Sequence, residues 1–436
     1  MRVFVFVLNQ RGKPLMPTSP AKAKRLLKSG KAKVVRRTPF TIQLNFATGE
    51  AKQDIALGID PGYKHVGLSA VSDTKEFFRS EVEFKMGFIK KKVGKKEVLQ
   101  EVDLVTKNLF DRRQYRKLRR YRKWYREKRF LNRGNKKKGW LPPSIEHKLD
   151  CHIKLAGFVK SILPVTQINI EVAAFDIQKI KNPEISGVEY QNGDQKGFWN
   201  VREYVLYRDN HICQACNGKS KDKVLNVHHI IPRTAGGTNK PDNLITLCES
   251  CHKAYHKGKI ELKVNKHKNF KAETFMSIIR WKLVNRLREL GNTINVTYGY
   301  ITKSSRIALG IEKTHANDAF CIAGGSKQER MDNSYFIKFV RKCNRSLFKA
   351  NLLKGGKRKV NTIKQAFGFH RFDKVLYGKI ECFVYALRSS GYFDIRHLTG
   401  EKINDSVKYT KLRLIETFKI MRIALLPRIN TGVSEL

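Results

Sequence analysis

Ile55-Ala56-Leu57-Gly58-Ile59-Asp60-Pro61-Gly62 is the stretch on which the fold turns. A short apolar run stopped by Pro-Gly reads as a buried central strand and a turn. A strand that ends on a carboxylate puts its charge at the sheet edge, where α/β folds open the crevice that takes ligands. Asp60 is therefore the first candidate site residue. Alone, the stretch fits equally a turn aspartate or the phosphate-binding strand of a sugar-kinase-like ATPase, so its neighbours must decide.

Working outward, Val66–Val71 and roughly 75–84 read as two further strands. Three successive strands after a carboxylate-bearing turn match the opening of an RNase H-like fold. A helix over 145–163 leads into Gln167-Ile168-Asn169-Ile170-Glu171-Val172, a second buried strand with one acid, Glu171. A helix over 275–290 and a strand over 294–298 follow, and then Thr314-His315-Ala316-Asn317-Asp318 opens another helix. His315 and Asp318 lie at i, i+3 and so share a face. The set Asp60, Glu171, His315 and Asp318 resembles the active site of RuvC-type nucleases, where such carboxylates hold two Mg²⁺ that clamp the attacking and leaving oxygens. The ATPase alternative predicts no terminal His-x-x-Asp.

Composition names the partner class. Across 436 residues, 88 Lys and Arg face 38 Asp and Glu, a formal net charge of +50. Self-repulsion on that scale calls for a polyanion, hence nucleic acid bound over a wide surface. A membrane-surface role finds no amphipathic anchor, lipidation motif or long apolar run. Met1–Phe6 does not read as an export signal. The expected setting is a reducing cytoplasm, where the eight cysteines are thiols or metal ligands. After a basic, weakly structured stretch at 88–96, Arg112–Arg129 carries eleven cations against the single acid Glu127 and is read as a helix. Its Arg112, Arg113, Arg116, Arg119, Arg120, Arg122, Lys123 and Arg126 can track a phosphate backbone while interleaved Tyr and Trp stack. Ahead of the core, 1–53 reads as a small module. Ser19 caps a helix that opens on Pro20, and Lys13–Pro17 is a stiff loop.

The densest chemistry lies in 201–258. Cys213-x-x-Cys216 and Cys248-x-x-Cys251, 31 residues apart, have the pairing of a structural four-cysteine Zn²⁺ site. A block this small needs the metal for much of its folding energy. Between the knuckles lie His228-His229 and Asn243, and the second knuckle runs on into His252 and His256.

This block resembles the HNH endonuclease family, whose His-Asn-His signature falls on His229, Asn243 and His252. The resemblance implies His229 as general base, Asn243 as the residue that orients the base or touches the metal, and His228 and His252 as ligands of one Mg²⁺, with His256 a rival to His252. A RuvC-like core interrupted by a basic helix and an HNH block, with Pro14-Leu15-Met16-Pro17 near the start, resembles the IscB family of transposon-encoded relatives of type II CRISPR effectors. That resemblance implies an α/β architecture, an RNase H-like (RuvC) core split by an arginine-rich bridge helix and a zinc-containing ββα-metal HNH insertion. Small α+β N-terminal and β-rich C-terminal domains complete it. The divisions are 1–53, RuvC-like 54–87, bridge 88–140, RuvC-like 141–185, HNH 186–262, RuvC-like 263–328, and 329–436 for the DNA motif beside the target. The implied partners are a structured guide RNA and double-stranded DNA with a short flanking motif, bound by a monomeric protein in a ribonucleoprotein. HNH would cut the guide-paired strand and RuvC the displaced one. The alternatives are a guide-independent endonuclease of a mobile element and a catalytically inactive nucleic-acid-binding protein.

Overall fold

The computed structural model describes residues 4–103, 139–172, 200–230, 241–262, 271–339 and 363–427, apart from isolated positions within them, together with Gln114, Tyr121 and Tyr125. The expected bridge helix, including all eight of its named cations, lies outside the described residues. The chain divides into two compact units, Met1–Ala174 with Phe275–Leu436, and Phe175–Thr274. No helix among the described residues is long and apolar enough to cross a membrane.

The first unit opens with β1 (Val5–Leu8), β2 (Pro14–Thr18), α1 (Pro20–Lys28), β3 (Ala32–Arg36) and β4 (Thr41–Leu44), in sheet order β2-β1-β4-β3. Ser19 caps α1 by accepting from the Lys22 amide, and Pro20 stands in its first turn. The loop expected at Lys13–Pro17 is instead the edge strand β2, antiparallel to β1. Its prolines are tolerated because an edge strand has one unpaired side.

The core begins with a meander of β5 (Ala56–Asp60), β6 (His65–Val71) and β7 (Glu76–Glu83). Next comes a hairpin of β8 (Met86–Val93) and β9 (Lys96–Asp103), which corrects the weakly structured reading of 88–96. Lysines there masked the two-residue period of a strand. After α2 (Pro143–Lys160), β10 (Gln167–Glu171) pairs parallel with β5 on its free side.

The second unit holds α3 (Val201–Arg208), a ribbon of β11 (Leu225–His229) against β12 (Leu244–Cys248), and α4 (Glu249–His256). Its core is small: Cys213, Leu247 and Cys248, with Leu225, Ile245 and Leu262 against them.

Back in the first unit come α5 (Lys271–Glu289), β13 (Thr293–Thr297), α6 (Gly299–Ala308), α7 (His315–Ile322) and β14 (Asn333–Phe339). Two short strands, β15 (Gln365–Ala366) and β16 (Phe369–His370), pair with each other. A five-stranded sheet follows, made of β17 (Lys374–Tyr377), β18 (Ile380–Ala386), β19 (Tyr392–Arg396), β20 (Lys402–Lys408) and β21 (Leu412–Glu416). β22 (Met421–Pro427) then returns to pair with β14. The main sheet therefore runs β13-β10-β5-β6-β7-β14-β22. The segment read as a separate tail thus lends both of its end strands to the core.

Strand alternation sorts the two faces of β5. Leu57 and Ile59 are buried with Leu149, Leu155 and Ile162 of the α2 region and Ile279 and Leu283 of α5. Gly58 and Asp60 face the other way, toward α7. A Cβ on Gly58 would collide with the Ala319 carbonyl, and one on Gly67 with the His315 carbonyl. Glycine at both positions lets α7 lie directly on the sheet.

Candidate active sites

The first site forms where three chain-distant segments meet at one end of that sheet. Asp60 ends β5 and Glu171 ends β10, and the parallel register sets Ile170 beside Ile59, so the two acids emerge from adjacent strands. Thr314 caps α7 by accepting from the Asn317 amide at 3.1 Å, which fixes His315 as the helix's first residue. His315 Nδ1 lies 2.7 Å from Asp60 Oδ2. That contact raises the pKa of His315 against the desolvation that lowers it. The His65 ring stacks on His315 at 5.7 Å and 18°.

The remaining acids resist ionising. Burial raises the Glu171 pKa, the charges of Asp60 and Asp318 raise it further, and a hydrogen bond from Thr302 partly offsets both. Burial and then Asp60 raise Asp318, while Arg306 opposes them. Arg306 Nε stands 3.0 Å from Asp318 Oδ1 as an ion pair. Three carboxylates that repel one another at a sheet end are, by donor type, fit for hard divalent cations. Behind them Asn317 Oδ1 accepts from Arg79 at 2.9 Å and Arg330 at 2.8 Å. Arg330 in turn pairs at 2.9 Å with the wholly buried Glu76, which Ser69 also bonds at 2.6 Å. This network pins the buried side of α7 to β6 and β7. The four residues expected from the sequence come together here. Thr302, Arg306, His65 and the Glu76–Arg330–Asn317 chain were missed, since single residues outside any motif carry no signal until folding gives them partners.

In the second unit the thiolate-forming atoms of Cys213, Cys216, Cys248 and Cys251 all lie within 4.8 Å of one another. Cys216 Sγ and Cys248 Sγ are 3.9 Å apart. A tetrahedral zinc at the usual Zn–S length of about 2.3 Å sets sulfurs about 3.8 Å apart, so the set fits Zn²⁺. Asn217 (φ 50°) and Gly218 (φ 82°) turn the chain after the first knuckle in the left-handed region, and the Asn217 amide donates to the Cys213 carbonyl at 2.8 Å.

Beside it, His228, His252 and His256 converge within 4.8 Å. His252 and His256 are one helical turn apart on α4, and their Nε2 atoms approach to 3.3 Å. His228 is buried, its Nε2 has no hydrogen-bond partner, and desolvation followed by its histidine neighbours lowers its pKa to about 4. Three imidazoles whose ring nitrogens converge are the donor set of a divalent metal with open positions. His256, the rival, thus joins His228 and His252 rather than replacing either. His229 follows His228 as the last residue of β11, paired with Leu244 of β12. Asn243 is buried, and its carbonyl accepts from the Ile230 amide at 2.9 Å, closing the ribbon next to His229.

Comparison with known proteins bears on this geometry. The HNH endonuclease model matches residues 213–258, and an RRXRR protein model matches residues 5–193, under half of the chain. Anaredoxin of Nostoc sp. is 44% identical over 74 residues, which are 17% of this chain and 83% of that protein. Over that segment the chain belongs to the anaredoxin family. A type IV methyl-directed restriction enzyme of Escherichia coli is 36% identical over 66 residues, or 14% of this chain and 24% of the enzyme. The chain resembles Streptococcus thermophilus Cas9 in complex with the AGAA PAM at 15% identity and a TM-score of 0.29, covering 42% of this chain and 26% of that one. The type II-C Cas9 of Actinomyces naeslundii gives 12% identity and a TM-score of 0.24, over 63% and 60% of the two chains. TM-scores of this size do not establish a common overall fold. The HNH domain, its four-cysteine cluster and the α/β core stand without them.

Proposed function

We propose that this chain is a metal-dependent DNA endonuclease with two phosphodiesterase sites, directed to its target by a guide RNA. The observation that carries the reading is the convergence of Asp60, Glu171, His315 and Asp318 at one sheet end, in a chain that also holds an HNH domain. The order β7-β6-β5-β10-β13, with only β6 antiparallel to β5 and β7, supports an RNase H-like core of the RuvC type.

Divalent cations, two at the acidic site and one at the three histidines, would activate water and stabilise charge on the scissile phosphate. The residues do the rest. His229, next to His228 at the end of β11, would take the proton from the attacking water, and Asn243 would hold it in place. Asp60 keeps His315 oriented, and Arg306 offers a cation beside Asp318. Cys213, Cys216, Cys248 and Cys251 hold a structural Zn²⁺. In this reading the HNH domain cuts the guide-paired strand and the acidic site cuts the displaced one. The Arg112–Arg129 segment grips a structured RNA, pairing supplies the sequence specificity, and residues 329–436 read a short flanking motif. The net charge of +50 suits a monomeric protein enveloped by nucleic acid in the cytoplasm.

A guide-independent endonuclease is the second reading, favoured by the match to a restriction enzyme. Purification from a host carrying the native flanking DNA, followed by sequencing of bound RNA, separates the two. One discrete RNA required for plasmid cutting upholds the guided mechanism. Heterogeneous RNA that high salt strips without affecting Mg²⁺-dependent cutting overturns it.

A further inference from the structure

Tyr298 and Tyr300 have no role in the chemistry above, yet they are built into its frame. Tyr298 is the N-cap of α6, with an extended backbone (φ −121°, ψ 152°). That bend brings its ring beside Tyr300, which two residues spaced i, i+2 within a helix could not achieve. The rings lie 6.1 Å apart at 9°, close to parallel. Both face solvent, at 44% and 73% exposure. Gly299 between them abuts the acidic site, since a Cβ there would stand 3.2 Å from Glu171 Oε1. Farther along the same helix the Thr302 hydroxyl, which donates to the Tyr298 carbonyl, lies near enough to Glu171 to lower its pKa, and Arg306 pairs with Asp318. One short rigid helix therefore ties an exposed aromatic pair to two of the carboxylates.

We infer that Tyr298 and Tyr300 form a stacking platform for bases of single-stranded DNA whose scissile phosphate sits at the acidic site, an inference that rests on the nuclease reading of that site. The net charge of +50 selects a polyanion, and the flat ring faces select its bases. A duplex keeps its base faces covered by stacking, so only an unpaired strand presents them. Every base has such a face, and the platform is indifferent to sequence.

The test uses the full chain with His229→Ala, so that the HNH site is silent, and a labelled single-stranded DNA with Mg²⁺. Replacing both tyrosines with alanine is expected to raise the DNA concentration for half-maximal cutting roughly tenfold, with the rate at saturation little changed, and replacing both with phenylalanine is expected to restore it. The same strand bearing 5-iodouracil is expected to photocrosslink to the peptide containing residues 298–300. Cutting that is unchanged in the alanine variant, without crosslinks, overturns the platform and leaves the patch to a protein partner. Asp60→Ala keeps the two readings apart. If that variant still cuts, the nuclease assignment of the acidic site falls, and the crosslink alone then upholds or sinks the platform.

Discussion

Asp60 and His315 touch at 2.7 Å although 255 residues separate them, and the consequences of that contact can be measured one side chain at a time. Asp60→Asn is expected to abolish nicking of the displaced strand and leave the guide-paired strand cut. His229→Ala should do the reverse, slowing its own strand by about 10²–10⁴-fold, the usual contribution of a general base. Strand-resolved nicking of a doubly labelled duplex reads both, and loss of both cuts in either variant would contradict two independent sites. The acids also set a pH dependence. Glu171 and Asp318 have pKa values raised above their ordinary 4.5 and 3.8. Between the ordinary and the raised values the folded state binds more protons than the unfolded one, so the stability of metal-free protein falls as pH rises through that window. His315, raised above 6.5, slopes the same way at higher pH: its stabilisation is complete below 6.5 and fades as pH rises through its folded value. In EDTA, Glu171→Gln is expected to flatten the fall of Tm with pH on the acid side, and added Mg²⁺ should raise the wild-type Tm near neutrality more than at acid pH. Equal profiles for the two proteins would show that the carboxylates do not share a field.

At the scale of elements, what the sequence disclosed and what it hid follow one physical rule. Strand-end acids were legible because a buried apolar run has no other reason to finish on a charge, as at Asp60 and Glu171. The cysteine knuckles were legible because metal ligation demands a fixed spacing. β2 was hidden by its prolines, β8–β9 by lysines on a strand, and β14 and β22 by a core pairing that no local pattern announces. α6 passed unread because Thr302 and Arg306 matter only through partners brought close by folding. The glycines make the packing of α7 testable. Gly58→Ala would press on the Ala319 carbonyl, and overpacking of this kind costs about 1–3 kcal/mol. Lower Tm together with loss of the displaced-strand cut is expected, with HNH nicking retained; a fully active variant would mean that the helix is free to move. Removal of zinc by a strong chelator, or Cys213→Ser, should expose amides of β11, β12 and α4 to hydrogen exchange while β5 and β6 stay protected. Uniform exposure of both units would show that they do not fold separately.

For the whole molecule the governing quantity is charge. A net +50 makes binding to any nucleic acid steeply salt-dependent, with a slope of about −0.7 to −0.9 per phosphate contacted. Titrating a non-target duplex across salt concentrations counts those contacts, and replacing Arg116, Arg119 and Arg120 with glutamine should make the slope shallower by about one contact's worth each. No change in slope would take the arginine segment off the phosphate backbone. Time is the other whole-chain quantity, and it follows from the distance along the chain between β5 and α7. A ribosome adding about 5–20 residues per second needs roughly 10–50 s to carry synthesis from Asp60 to His315. The four-cysteine unit emerges in between, while the half-built sheet waits with β10 as an open edge. A nascent chain of this design therefore holds no assembled acidic site until α7 arrives, so under the proposed reading the cut assigned to that site is withheld through most of the chain's synthesis.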